Sequence, residues 1–327
     1  MPNSIFDAPH LQDEEAAYAY VEARIWRNGR VCPKCGVVDK SGPLKGKSTR
    51  PGVYKCYACR KPFTVKIGTI FEDSHVPMHM WLQAITLLCS SKKGISSNQL
   101  HRVLGVTLRT AWHMSHRIRL AMAPHGDVFG PIGGEGKTIE VDETFIGRKA
   151  DAEHVDPWQF SNERGWWKGG QGAPGRARTK IPVVTLVERG GIARSIKAEN
   201  VTARELRRIV MAHADTRSHL MTDENRSYRA IGRQFASHES VNHSREEWAR
   251  GRAHTNTVEG FYSIFKRGMR GIYQHCDERH LHRYLAEFDF RYSNRVALGV
   301  DDAERADRII LGTTGKRLTY RTTRSQA

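Results

Sequence analysis

Two groups of residues have the types and spacing of metal ligands. Cys32, Cys35, Cys56 and Cys59 form two C-x2-C pairs with twenty residues between them. Two residues between thiolates let one tight turn aim both sulfurs at a single ion, and two such knuckles complete the closed four-thiolate shell of a structural zinc site. A pair of disulfides is the competing reading, which a cytosolic setting disfavours. A closed shell leaves no open position for catalysis, so zinc is expected to fold a small module and not to cut anything. Cys89, in the apolar run WLQAITLLC, reads as a small buried hydrophobe, and Cys276 has no partner nearby in sequence. The second group is Asp142, Asp223 and Glu259. Three carboxylates brought together would hold two divalent ions about 4 Å apart, one activating an attacking oxygen and the other stabilising a leaving oxygen in phosphoryl transfer. Mg²⁺ or Mn²⁺ is the expected pair, since hard cations prefer carboxylate and water oxygens.

Whether these acids meet depends on the elements that carry them. KTIEVDETFIG reads as a strand, KIPVVTLVERGG and IARSIKAEN as a hairpin turning at Gly190-Gly191, and TARELRRIVMAHA as a helix with Thr202 and Glu205 in capping-box positions. SHLMTDEN reads as a strand ending in acids, NRSYRAIGRQF as a helix and HESVNHS as an edge strand; the helices HTNTVEGFYSIFKRGM and ERHLHRYLAEFDFRYSNRVA follow. The order β-β-β-α-β-α-β-α is that of a ribonuclease-H-like α/β domain with a mixed sheet. On the late helix, Val258, Phe261, Tyr262, Phe265 and Met269 make an apolar stripe, while Asn256, Glu259, Ser263, Lys266 and Arg270 make a polar one roughly 120° away. That helix can bury one face and turn Glu259 and Lys266 towards a site, although a single Glu on such a face is more often solvated. Strand alternation puts Glu140 and Asp142 on one side and Glu143 on the other; Glu143 and Glu224 are supporting or surface candidates.

Ahead of this domain, residues 11 to 28 read as a helix, FTVKIGTIF after Cys59 as a strand of a zinc ribbon, and MHMWLQAITLLCSSKK as a further helix. A short helix from Ser97 to Leu104, a turn at Gly105 and a longer helix from Thr107 have helix-turn-helix arithmetic. Arg109, Trp112, His113, His116, Arg117 and Arg119 give the second of these helices a polar, basic population suited to a DNA groove. The chain is 327 residues long, and 52 Lys and Arg against 35 Asp and Glu give a net charge of +17, which favours a polyanionic partner. No apolar run reaches the roughly 20 residues of a membrane span, and the polar, acidic start is unlike a signal peptide, so a cytoplasmic protein is expected.

The pieces VDETFIG, MTDEN and HTNTVEGFYSIFKRGMRGIYQHCDERHLHRYLAEFDFRYSNR resemble those of the ISXO-like DDE transposases of bacterial insertion sequences, which carry a zinc ribbon ahead of the catalytic domain. The resemblance runs from about Glu14 to Val296 and implies a bacterial, nucleoid-associated protein. It implies Asp142 and Asp223 as the catalytic aspartates, Glu259 as the third acid and Lys266 as the basic residue seven positions on. Thirty-five residues lie between Asp223 and Glu259, a spacing familiar in such enzymes. Asn256, one helical turn earlier, is the alternative third member or a DNA contact, and Lys266 and Arg267 would position phosphates.

The resulting layout is an N-terminal helix over 1–30, a zinc ribbon over 31–75, a helix-turn-helix-like DNA-binding region over 76–124, a linker over 125–136, a ribonuclease-H-like catalytic domain over 137–298 and a basic C-terminal tail over 299–327. A basic insertion, 148–180, contains Trp166 and Trp167. The function expected is that of a transposase which binds the terminal inverted repeats of its element and cleaves and joins double-stranded DNA, as a dimer or higher oligomer. The competitors are a DNA-binding regulator with an inactive domain and a nuclease that cuts without joining.

Overall fold

The structure is a computed structural model that describes residues 5–124, 130–147, 149 and 180–319. Nearly all of the 148–180 stretch, with Trp166 and Trp167, and the last eight residues lie outside the described residues. The chain forms two compact units, 1–128 with 294–327, and 129–293.

In the first unit, α1 (Glu14–Ile25) begins at Asp13, whose carboxylate accepts a hydrogen bond from the Ala16 N–H at 2.7 Å. Its first residue also caps a second helix. Glu14 accepts from the Met78 and His79 N–H groups at 2.8 and 3.1 Å, at the start of α2 (Met78–Ser90), where Pro77 offers no side-chain cap. Between them lies a small antiparallel sheet of β1 (Ser41–Pro43), β2 (Tyr54–Cys56) and β3 (Pro62–Phe63). The stretch FTVKIGTIF, expected as a strand, is strand only at Phe63 and continues as turns. Gly68 has φ +75°, its N–H bonds the Glu72 carboxylate and the Thr69 hydroxyl bonds the Lys66 carbonyl, so Val65, Ile70 and Phe71 are buried from a coiled path and not from a sheet face.

Next come α3 (Ser97–Leu104), opened by a Ser96/Gln99 capping box and closed by Gly105 at φ +65°, and α4 (Leu108–Met122), capped by Thr107. The C-terminal stretch is not the simple tail expected. Residues Asp302–Leu311 form a helix, here α9, which packs on α1, α2 and α4. Asp307 takes the Tyr20 hydroxyl at 2.8 Å and pairs with Arg24, and Arg305 donates to the Cys89 carbonyl at 2.6 Å. The helix reads as polar because most of its residues are; Ala306, Ile309 and Ile310 are its buried stripe. Gly312 lets it leave beside α4, where a Cβ would stand 2.3 Å from the Ala121 carbonyl oxygen.

The second unit is built on a five-stranded sheet of order β10-β9-β5-β6-β7. Here β5 is Thr138–Ile146, β6 Ile181–Glu188, β7 Ala193–Lys197, β9 His219–Thr222 and β10 Ser237–Ser240. The pairs β5/β6 and β6/β7 are antiparallel, while β5/β9 and β9/β10 are parallel. Three antiparallel strands followed by two parallel ones on the other side of the first is the ribonuclease-H-like arrangement that the element order implies. Two short pairs, β4 (Ile132–Gly133) with β8 (Ala214–Asp215) and β11 (Ala249–Arg250) with β12 (Ala253–His254), flank it. Strand β6 is buried at every position except its last, because helices cover both faces. On one face α5 (Ala203–His213) and α6 (Tyr228–Gly232) pack on Ile139, Val141, Val184, Leu186 and Leu220; on the other, α7 (Asn256–Gly268) and α8 (Leu281–Ser293) pack on Val183 and Val187. The Thr202 hydroxyl caps α5 as expected, but Glu205 pairs with Arg208 and does not complete the box. Among the described residues no helix is long and apolar enough to cross a membrane.

Helix α8 is tied to β7 by Asp289, which accepts from the Ser195 N–H at 2.7 Å and its hydroxyl at 2.6 Å. Burial pushes this carboxyl up to about 6, from an ordinary value of 3.8. A folded-state value above the unfolded one means that Asp289 favours folding most when protonated, and that this contribution is lost as pH rises from about 4 through 6. The gap corresponds to about 3 kcal/mol at most. Asp289→Asn keeps an acceptor for Ser195 without the charge, so its melting temperature relative to the wild type should improve steadily between pH 4 and 7. A pH-independent difference would refute this.

Candidate active site

The last parallel pair joining β5 to β9 is Glu140 with Met221, and Asp142 and Asp223 stand two residues further along each chain. Strand β9 ends at Thr222 while β5 runs on to Ile146, so Asp142 lies within β5, opposite Thr185 of β6, beside the point where β9 stops and Asp223 follows it. Asp142 lies among negative groups. Burial first, then Glu143, Asp223 and Glu259, push its carboxyl up to about 8. Asp223 is raised as well, mainly by burial, while its carboxylate takes the Asn225 N–H at 3.0 Å to fix the turn after β9.

Glu259 projects from the first turn of α7. It is exposed, accepts from the Thr255 hydroxyl at 3.0 Å and lies 3.3 Å from His243 Nε2. Its charge, like that of Asp223, is among those felt by Asp142, so the three acids lie within electrostatic range of one another. They are not clenched: among the described residues, only the four cysteines have their ligand atoms all within 4.8 Å of one another. Two ions about 4 Å apart need carboxylates spread around them, and an oxygen-only donor set fits Mg²⁺ or Mn²⁺.

Lys266 stands two turns after Glu259. Its Nζ is 5.6 Å from the centre of the Tyr262 ring; burial lowers its pKa, and the charge of Asp142 opposes that lowering. The Tyr262 hydroxyl donates to the Asp142 carbonyl at 2.6 Å, which fixes this face of α7 against β5. Asn256, the first residue of α7, is exposed. Arg267 folds back along its own helix onto Ser263.

Glu140 was expected only to share a face with Asp142, and it does more. Wholly buried, it accepts from the Thr257 N–H at 2.8 Å, the Thr257 hydroxyl at 2.7 Å and the Val258 N–H at 2.9 Å, and it pairs with Arg189 at 2.6 Å. His254 Nδ1 lies 3.2 Å away. Thr255 gives α7 no side-chain cap, so a glutamate from β5 satisfies the orphan N–H groups of that helix. The signal was present in the sequence as an acid inside an apolar strand and a helix start without its own capping group. On the opposite face Glu143 accepts from Asn225 Nδ2 at 2.7 Å and from the Tyr228 hydroxyl, so it supports the turn that carries Asp223.

The residues of α4 expected in a DNA groove divide. Arg109 is exposed and Trp112 and His113 are half-buried, but His116 is wholly buried and Arg117 is 6% exposed. Arg117 donates to the Ile70, Glu72 and Leu318 carbonyls at 2.7, 2.8 and 3.0 Å, and so staples the loop after the ribbon to the C-terminal stretch. Arg119 is buried too, against the Ser115 hydroxyl at 3.1 Å. For His116, Arg117 and Arg119 the groove expectation fails, because α9 and the loop before α2 cover the second half of α4.

At the ribbon, Cys32 and Cys59 sulfurs are 3.8 Å apart, and those of Cys35 and Cys56 3.7 Å. A Zn–S bond of about 2.3 Å gives a tetrahedral edge of about 3.8 Å, so the four thiols match a zinc shell. The Gly36 N–H closes the first knuckle on the Cys32 carbonyl at 2.8 Å. Phe63, Trp26 and Tyr54 pack around the buried sulfurs.

Family models match two parts of the chain: a transposase zinc-ribbon domain over residues 12–62 and an ISXO2-like transposase domain over residues 133–293. Residues 133–293 are an ISXO2-like transposase domain, and residues 12–62 a transposase zinc ribbon. The former contains Asp142, Asp223, Glu259 and Lys266, and the latter contains all four cysteines together with α1. A protein of the transposable element ISH50 from Halobacterium salinarum is 28% identical over 289 residues, 86% of this chain and 91% of its own. Among solved structures, the Mos1 strand transfer complex and a pre-cleavage Mos1 transpososome match at 16% and 17% identity, each over 71% of this chain and 74% of the other. Their TM-score of 0.28 is too low to bear on fold or function.

Removing the metal is the direct test of the ribbon. Chelation, or Cys56→Ser, should release one equivalent of Zn²⁺ per chain and unfold the segment around β1 to β3, because the buried sulfurs are the centre of its small core. Absence of zinc from the purified wild type, by elemental analysis, would contradict this.

Proposed function

We propose that this protein is an active DDE transposase: its first unit binds the terminal inverted repeats of its insertion sequence, and Asp142, Asp223 and Glu259 carry divalent-metal-dependent cleavage and strand transfer. The observation that supports this best is the placement of Asp142, within β5, beside the end of the neighbouring parallel strand β9 that Asp223 follows, with Glu259 and Lys266 on the polar stripe of the helix packed on β5. Bound there, Mg²⁺ or Mn²⁺ would polarise a phosphodiester and its attacking oxygen.

The protein's own groups have separate tasks. Burial and mutual repulsion make the acids poor neighbours for one another, which favours binding of cations between them. Lys266 supplies a cation for a phosphate oxygen without acting as a base. Glu140 and Tyr262 hold α7, and with it Glu259, in fixed relation to β5. Water attacks the phosphorus at the transposon end and the bond to the 3′ oxygen breaks, which frees a 3′-hydroxyl; that hydroxyl then attacks a target phosphodiester and displaces another 3′ oxygen. In the first unit the ribbon, with Arg109, Trp112 and His113, takes part in end recognition. Synapsis of two ends calls for at least a dimer on DNA.

The test is a Mg²⁺-dependent cleavage and strand-transfer assay with purified protein and labelled DNA carrying the flanking ends of its own gene. Joined products are expected. Nicks without joining would favour a nuclease, and tight binding without chemistry a regulator.

A further inference from the structure

Beyond the acids, the second unit has a cleft of about 450 Å³, within the roughly 300–1,000 Å³ of ligand sites. Asp223 and Asn225 line one part of it, and Arg229, His238, Arg245 and Arg250 much of the rest. Two carboxylates at its rim are already provided with donors. Glu224 accepts from the Ser244 hydroxyl at 2.6 Å and the His243 N–H at 2.9 Å, and Glu247 takes Arg250 at 3.1 Å and the Asn242 N–H at 3.2 Å. Arg229, from α6, and Arg245, from the loop between β10 and β11, are exposed, and neither is paired with a carboxylate among the described residues. Two uncompensated guanidinium groups therefore share a polar cleft with one of the candidate metal-binding acids.

We infer that this cleft seats backbone phosphates of the single DNA strand that leads into the acid site, with Arg229 and Arg245 as positioning residues. The anion class follows from the guanidinium forks, which match phosphate oxygens in pairs; that the strand is the one being cut rests on the proposed function. Such contacts set register and orientation and carry no base preference. The cleft opens directly beside Asp223, so a strand held there is aligned with the acids and not merely attracted to a basic surface.

Binding of a fluorescein-labelled single-stranded oligonucleotide to the full chain, followed by anisotropy over a range of KCl concentrations, tests this without any need for catalysis. Each phosphate neutralised contributes about 0.7 to the slope of log K against log salt for single strands. Arg229→Gln/Arg245→Gln should therefore lower the slope by about 1.4. Arg233→Gln, an exposed arginine just after α6 and outside the cleft, should leave it unchanged. A double variant with the wild-type slope, or an equal loss with Arg233→Gln, overturns the inference. In the cleavage assay the double variant should be at least tenfold slower on subsaturating DNA, with full rate partly recovered as DNA is raised. If the wild type itself does not cleave, the proposed function fails while the salt slope still decides the cleft.

Discussion

Asp223→Asn should lower Mg²⁺-dependent strand cleavage by about 10³-fold or more, while binding of transposon ends and the folded structure persist. The size follows from the several kcal/mol of transition-state charge stabilisation that a correctly held metal supplies, at about tenfold in rate per 1.4 kcal/mol. Stability should move the other way. Asp142 and Asp223 are both held above their ordinary pKa by burial, and negative neighbours add to this; in the absence of metal, neutralising one of them removes a repulsion. Asp223→Asn is therefore expected to melt at or above the wild-type temperature, which separates loss of chemistry from loss of fold. The same assay decides the third acid. Glu259→Gln should fall with Asp223→Asn, and Asn256→Ala should keep most of the activity; the reverse pattern would reassign the role to Asn256.

Glu140→Ala should destabilise the α/β unit by roughly 3–5 kcal/mol, the usual cost of removing one member of a buried ion pair. Arg189, partly exposed, would lose its carboxylate, and the N–H groups of Thr257 and Val258, the latter buried, would lose their acceptor. For a unit of this size the loss corresponds to a fall of roughly 6–20 °C in melting temperature. Glu140→Gln, which retains an acceptor oxygen, should lose less. Cleavage by the alanine variant, measured below its melting point, should also fall, because Glu259 lies two residues beyond the anchored turn. A shift of less than about 2 °C would show that α7 is held by its apolar stripe alone.

Much of the α/β unit was legible in the sequence because local patterns and global topology agree there. The alternation at the start of TIEVDETFI, the continuous apolar run IPVVTLVE bounded by the glycine turn at 190–191, and the helical stripe of Val258, Phe261 and Phe265 each point to one kind of element. The ribbon was legible for a different reason: four thiols at fixed spacing leave few geometries. What the sequence did not disclose depends on contacts between distant segments. Nothing in the pattern of α4 shows that its second half lies under a helix nearly two hundred residues later, so Arg117 looked like a surface cation when it is a staple between three carbonyls. In the same way FTVKIGTIF has the composition of a strand, but among the described residues no strand pairs with its second half. Glu140 is the intermediate case, since its burial was implied by the strand but its partners 117 and 118 residues on were not.

The packing of α9 against α1, α2 and α4 makes the unit that carries the zinc ribbon discontinuous in the chain. A ribosome completes the whole α/β sheet before it delivers Asp302–Leu311, so the order of synthesis finishes the acid-bearing unit first and the ribbon-bearing unit last. A message interrupted between Asn294 and Asp301 would yield a chain with every strand of the sheet and all three acids but without the helix that closes the other unit. Such a product would keep its three acids and lose much of the core beneath α3 and α4.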